Sequence, residues 1–147
     1  MLKARLNSNI ELSENRTTQD VDIVVLRGQA AAARQLLRAS GDFDVELRTN
    51  YTTFKGIVPV DIEILAPPTM FKEAFDENTE VVTVGKIKVL KPALLLNAKC
   101  RTVVERSTGD KRASDALDII FLLRYCAQRV EYLPRALEVP NATKQFV

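Results

Sequence analysis

Apolar and polar positions alternate along this chain in blocks that change period several times. Residues 7–20 are polar apart from Ile10 and Leu12 and read as an irregular lead-in. Val21 to Leu26 is then a short, β-branched apolar run with a single acid in it, Asp22, which suits a strand of a covered sheet. Gly28 ends it, and Gln29 to Ser40, rich in alanine and leucine, predicts a helix. Gly41-Asp42 turns the chain into a short strand at Phe43 to Leu47, and a second short strand is expected at Tyr51 to Lys55. Val58 to Leu65 alternates: Val58, Val60, Ile62 and Ile64 face one way, Pro59, Asp61, Glu63 and Leu65 the other. A short helix is expected within Thr69 to Phe75, then a hairpin of Val81 to Val84 and Ile87 to Leu90 about Gly85-Lys86.

From Lys91-Pro92 onward the period is helical. Proline opens a helix that ends near Arg106, and a second helix runs from about Arg112 to Tyr125. One more short helix is expected around Leu133 to Leu137, followed by a polar tail. Strand, helix, two or three strands and a helical C-terminal third predict an α/β (α+β) domain, a mixed β-sheet with flanking helices. With no internal repeat or linker, residues 1–147 read as a single domain.

Composition changes this picture mainly by subtraction. Hydrophobic residues make up 46% and charged residues 27%, ordinary for a globular chain, and a net charge of +2 is too small to argue nucleic-acid binding, while leaving a local basic patch open. No histidine occurs, which removes histidine acid–base chemistry, imidazole metal ligands and histidine-based triads. The two cysteines, Cys100 and Cys126, fall in apolar helical segments and read as reduced core thiols. Neither a signal peptide nor a membrane-spanning run is present, so a soluble, cytoplasmic protein is expected.

Catalysis without histidine has to use carboxylates, lysines and a metal. Asp20 and Asp22 are one residue apart at the start of a strand and project to the same side. Two like charges there are costly unless a cation joins them, and Mg²⁺ prefers carboxylate oxygens. Asp61 sits inside a second apolar strand, and Glu63 shares its face, so either can be the third carboxylate. Asp115 and Asp118, three apart, share one face of a helix that is otherwise mostly apolar. Lys99 and Arg101 are the partners that the preceding helix offers, in a packing ion pair or in a catalytic arrangement.

Several of these segments resemble a known family in the same order. Arg16-Thr17-Thr18-Gln19-Asp20-Val21-Asp22 is similar to the R-x-T-x-D-[IV]-D segment of the nucleotidyltransferase superfamily, with its DNA polymerase beta-like fold. The branch it resembles is that of the abortive-infection nucleotidyltransferase toxins and their fungal relatives. Val60-Asp61-Ile62 looks like that branch's second carboxylate strand, and Leu94 to Lys99 like its lysine-bearing helix. Lys111 to Ile119 looks like its closing K/R-x-x-D-x-x-D-[IL] motif. The resemblance implies a minimal nucleotidyltransferase fold and transfer of a nucleoside monophosphate from an NTP to a hydroxyl of RNA, a protein or a small molecule. It implies that Asp20, Asp22 and Asp61 hold Mg²⁺ or Mn²⁺, and that Asp61 also helps deprotonate the acceptor. By the same resemblance Lys99 and Thr18 meet the nucleotide, and Asp115 acts as a base or orients the lysine.

One family feature has no counterpart. The superfamily carries a Gly-Gly or Gly-Ser turn shortly before the first aspartate, whose N–H groups cradle phosphates. The five glycines here, at 28, 41, 56, 85 and 109, all follow Asp22, and Asn7-Ser8 stands roughly where the turn would be. A catalytically inactive binding or interaction domain on the same fold is therefore the alternative expectation. A nuclease is a third, which Asp61-x-Glu63 suits only superficially, because position 65 is leucine rather than lysine. A shortened N-terminal region would leave sheet edge uncovered, which a homo-oligomer would cover.

Overall fold

The computed structural model describes residues 3–5, 20–107 and 109–142. The chain divides into two compact units, Met1–Val89 and Leu90–Val147, where the sequence pattern reads as one domain.

Among the described residues the first unit carries a mixed seven-stranded sheet. Its strands are β1 (Lys3–Arg5), β2 (Asp20–Val24), β3 (Phe43–Val45), β4 (Thr52–Phe54), β5 (Val60–Leu65), β6 (Val81–Val84) and β7 (Ile87–Leu90), in the order β3-β4-β5-β2-β1-β7-β6. β2 and β5 run parallel at its centre, flanked by antiparallel β1 and β4. Helix α1 (Ala30–Ser40) links β2 to β3 and ends on Gly41, whose φ of 76° is the left-handed cap that glycine takes without strain. Ala33 and Leu37, one turn apart on α1, pack with Val25, Val45 and Ile64, and Ile23 and Ile62 complete this core. Strand periodicity therefore assigns one sheet face to α1: Ile23 and Val25 from the β2 segment, Ile62 and Ile64 from β5. The alternate residues Asp20, Asp22, Asp61 and Glu63 go to the opposite face. That second face becomes apolar further along, where the register partners Val24 and Leu65 are both buried.

Several boundaries differ from the sequence pattern. β5 starts at Val60 and not Val58, because β4 and β5 part at the pair Phe54↔Val60 and residues 55–59 make the connection. Pro59 has no N–H for a ladder, and Gly56 passes so close to Phe54 that an added Cβ would lie 2.8 Å from its ring. The helix expected within Thr69 to Phe75 is absent. Phe71, Glu73 and Phe75 are buried while Lys72 and Ala74 are exposed, a period of two that a helix cannot provide. The hairpin of β6 and β7 forms as expected, with Gly85 at φ 60° in its turn.

The second unit is a helical pair, α2 (Pro92–Glu105) and α3 (Gly109–Ala127), followed by two 3-10 turns, Val130–Tyr132 and Ala136–Glu138. Of the short helix expected around Leu133 to Leu137, only the turn at Ala136–Glu138 overlaps the range, and it begins after Pro134. Asp115, Ile119, Leu122 and Cys126 form the buried stripe of α3, at helical spacing, so a carboxylate occupies a position that the pattern reserves for an apolar residue. Cys100 and Cys126 are free and buried, and burial pushes both thiols above their ordinary value. The segment after α3 is tied back to α2: the Asn141 N–H donates to Asn97 Oδ1 at 2.8 Å, and Lys91 Nζ donates to Glu138 Oε1 at 2.7 Å. Among the described residues no helix is long and apolar enough to cross a membrane.

Glu138 gives this clasp a pH dependence. The Lys91 hydrogen bond, with the Arg135 backbone N–H and side chain, holds its carboxyl down at about 2 against an ordinary 4.5. The unfolded chain takes up the proton first as pH falls. The contribution is therefore complete above about pH 4.5 and is lost between about 4.5 and about 2. Glu138→Gln is expected to lower stability at pH 7 by no more than about 1 kcal/mol, since the pair is partly open to water. Melting curves of the two proteins should converge as pH approaches 2; a constant difference would contradict the assignment.

Candidate active site

The parallel pairing of β2 and β5 sets the geometry of the candidate metal residues. Asp20 stands opposite Asp61 and Asp22 opposite Glu63, all on the face away from α1. Adjacent strands lie about 4.8 Å apart and alternate residues roughly 6.6 Å apart, so the carboxylates form a two-by-two grid. Asp20, Asp22 and Asp61 are half-buried, and Glu63 is exposed. The donor set is all hard oxygen, which fits Mg²⁺ or Mn²⁺ and no softer metal. Among the described residues no three histidine, cysteine, aspartate or glutamate side chains are gathered closely enough to hold an ion. With this spacing the carboxylates reach a common cation only by turning inward from their strands. Thr18 lies outside the described residues.

A residue not anticipated from sequence joins this face. Tyr51 Oη donates to Asp61 Oδ1 at 2.5 Å. Tyr51 immediately precedes β4, and the pairing Thr53↔Asp61 puts it on the carboxylate face, one alternate position along. A tight turn holds it there. The Glu46 N–H donates to the Tyr51 carbonyl at 2.9 Å, the Asn50 N–H donates to the Glu46 carbonyl at 2.9 Å, and the Tyr51 N–H donates to Thr49 Oγ1 at 3.2 Å. Asn50 takes the left-handed backbone, φ 61°, that asparagine tolerates and this turn requires. The hydrogen bond to Asp61, with desolvation and the carboxylate charge adding to it, pushes the Tyr51 phenol above its ordinary 10.0. Asp61→Asn should return the phenol toward that value, read as the ultraviolet titration difference between each protein and its Tyr51→Phe counterpart. An unchanged titration would disprove the contact.

The helical unit gathers a second set of charges. Lys99 Nζ lies 3.0 Å from Asp115 Oδ1 and 2.7 Å from Asp118 Oδ2. Arg106 Nε approaches Asp115 Oδ2 at 2.6 Å, but its N–H is not aligned on that oxygen, so this contact is ionic rather than a hydrogen bond. The Asp115 side chain is only 3% exposed, so it is a buried carboxylate between two cations. The expected pairing of Lys99 with Asp115 and Asp118 is therefore present. Arg106, which the sequence pattern did not single out, supplies a second cation on Asp115. The helical angle could have shown it: seven residues return a side chain to within about 20° of Lys99.

No protein-family model matches the sequence, and no curated protein is significantly similar to it. In three dimensions the chain is similar to an antigenic nucleotidyltransferase-like protein from Paracoccidioides brasiliensis, with a TM-score of 0.65 at 19% identity, over 86% of this chain and 68% of that one. The mixed sheet and the helices of the described residues thus have a minimal nucleotidyltransferase fold. At that identity the likeness shows the fold alone.

Proposed function

We propose that the chain is a metal-dependent nucleotidyltransferase that moves a nucleoside monophosphate from an NTP to a hydroxyl of RNA, a protein or a small molecule. The observation that carries this reading is the in-register carboxylate grid on β2 and β5 of a nucleotidyltransferase fold. Asp20 and Asp22 would hold Mg²⁺ or Mn²⁺, which when bound offsets charge on the phosphates and on the departing pyrophosphate. Asp61 completes the set and takes the acceptor proton. Its half-burial and its contact with a hydroxyl favour it over the exposed Glu63. Lys99, with Thr18, meets the nucleotide, and Asp115 and Asp118 orient the Lys99 ammonium. The motif order favours the toxin-like branch of the superfamily, and two buried free thiols suit the cytoplasm.

The direct test is transfer of label from each α-labelled NTP to RNA, protein and small-molecule hydroxyls. Transfer should require a divalent cation and fall at least about a hundredfold in Asp20→Asn. Undiminished transfer by that variant would refute the site. An inactive nucleotidyltransferase-fold binding domain is the second reading. It is favoured by the lack of any glycine before Asp22 and by the dispersed carboxylates among the described residues. Transfer from any NTP that Asp20→Asn abolishes would eliminate it.

A further inference from the structure

A hydroxyl that accepts a nucleotidyl group needs a base in contact, a fixed position and an open approach to the α-phosphorus. Tyr51 meets all three within its own chain. Its Oη donates to Asp61 Oδ1 at 2.5 Å. Its backbone is held by the hydrogen bonds of the 46–51 turn. The residue is nevertheless 55% exposed, so its oxygen is both bonded to a carboxylate and approachable from solvent.

We propose that Tyr51 is itself a nucleotidyl acceptor and that the protein modifies itself there once. The inference rests on reading the carboxylate face as a nucleotide site. In the step, Tyr51 Oη bonds to the α-phosphorus of a bound NTP while the bond from that phosphorus to the α–β bridging oxygen breaks. Pyrophosphate leaves with the electron pair, and the phenol proton passes to the Asp61 carboxylate. The product is a tyrosyl phosphodiester. The reaction is self-limiting: the product has no O–H left to offer Asp61, and its nucleotide occupies the same face.

The test uses the full chain with each of the four NTPs and Mg²⁺ or Mn²⁺. Intact mass and peptide mapping are read alongside thermal stabilisation of the same wild-type samples. The expected result is one added nucleoside monophosphate, mapped to Tyr51 and absent from Tyr51→Phe. Asp61→Asn should slow the addition at least about a hundredfold. Wild-type protein stabilised by NTP and metal but unmodified at Tyr51 would overturn self-modification and leave the nucleotide site standing. The same mass gain in Tyr51→Phe would do so too. Absence of both stabilisation and mass gain would overturn the site reading and this inference together.

Discussion

Asp115→Ala is expected to destabilise the protein by about 3 kcal/mol, the lower part of the range for breaking a buried ion pair from one side. Asp115 is 2% exposed and stands between Lys99 and Arg106. Alanine would leave two cations facing each other where one carboxylate had joined them. Lys99 keeps Asp118 at 2.7 Å and Arg106 is partly solvated, so the penalty does not reach the top of that range. Urea unfolding should show a lower midpoint with the slope unchanged, and a loss below about 1 kcal/mol would contradict the ion-pair geometry. Lys99→Met/Asp115→Leu removes one charge of each sign but leaves Asp118 without Lys99 and Arg106 without Asp115, so it should regain only part of the stability. That double variant also separates the two roles open to Lys99. If the lysine meets the nucleotide, nucleotide binding is lost although the fold is kept; if the pair only fixes packing, binding survives.

The helical pair and the central strands were legible because their patterns are long and carry one period each. Asp115 stood out as a charge inside an apolar stripe, helical spacing tied it to Asp118, and the preceding helix offered Lys99 as a partner. The carboxylate face was half legible. Alternation put Asp20 with Asp22 and Asp61 with Glu63, but the register that sets Asp20 against Asp61 is a long-range pairing no local pattern encodes. Tyr51 was invisible for the same reason: its role depends on β4 lying antiparallel to β5 and on a turn that aims it. The segment 69–75 was misread because Phe71 and Phe75 also fit a helix face, and only the burial of Glu73 between them shows an extended chain. Three-residue strands such as β1 carry too few positions for any period to register.

The second large effect is expected from ligands. An NTP with Mg²⁺ or Mn²⁺, present at a hundred times its dissociation constant, should stabilise the native protein by about 2.7 kcal/mol. Neither component alone should do so, because the carboxylate grid repels the triphosphate until a cation joins them. Asp20→Asn takes one charge from the Asp20–Asp61 pair. Its NTP-dependent stabilisation should therefore fall away.

Thermal unfolding of wild type and Asp20→Asn, with each NTP in the presence and absence of the two metals, puts the carboxylate face to the most direct test. The expected result is a rise in melting temperature that requires nucleotide and metal together and is missing in the variant. An equal rise in Asp20→Asn, or no rise with any NTP, would contradict it.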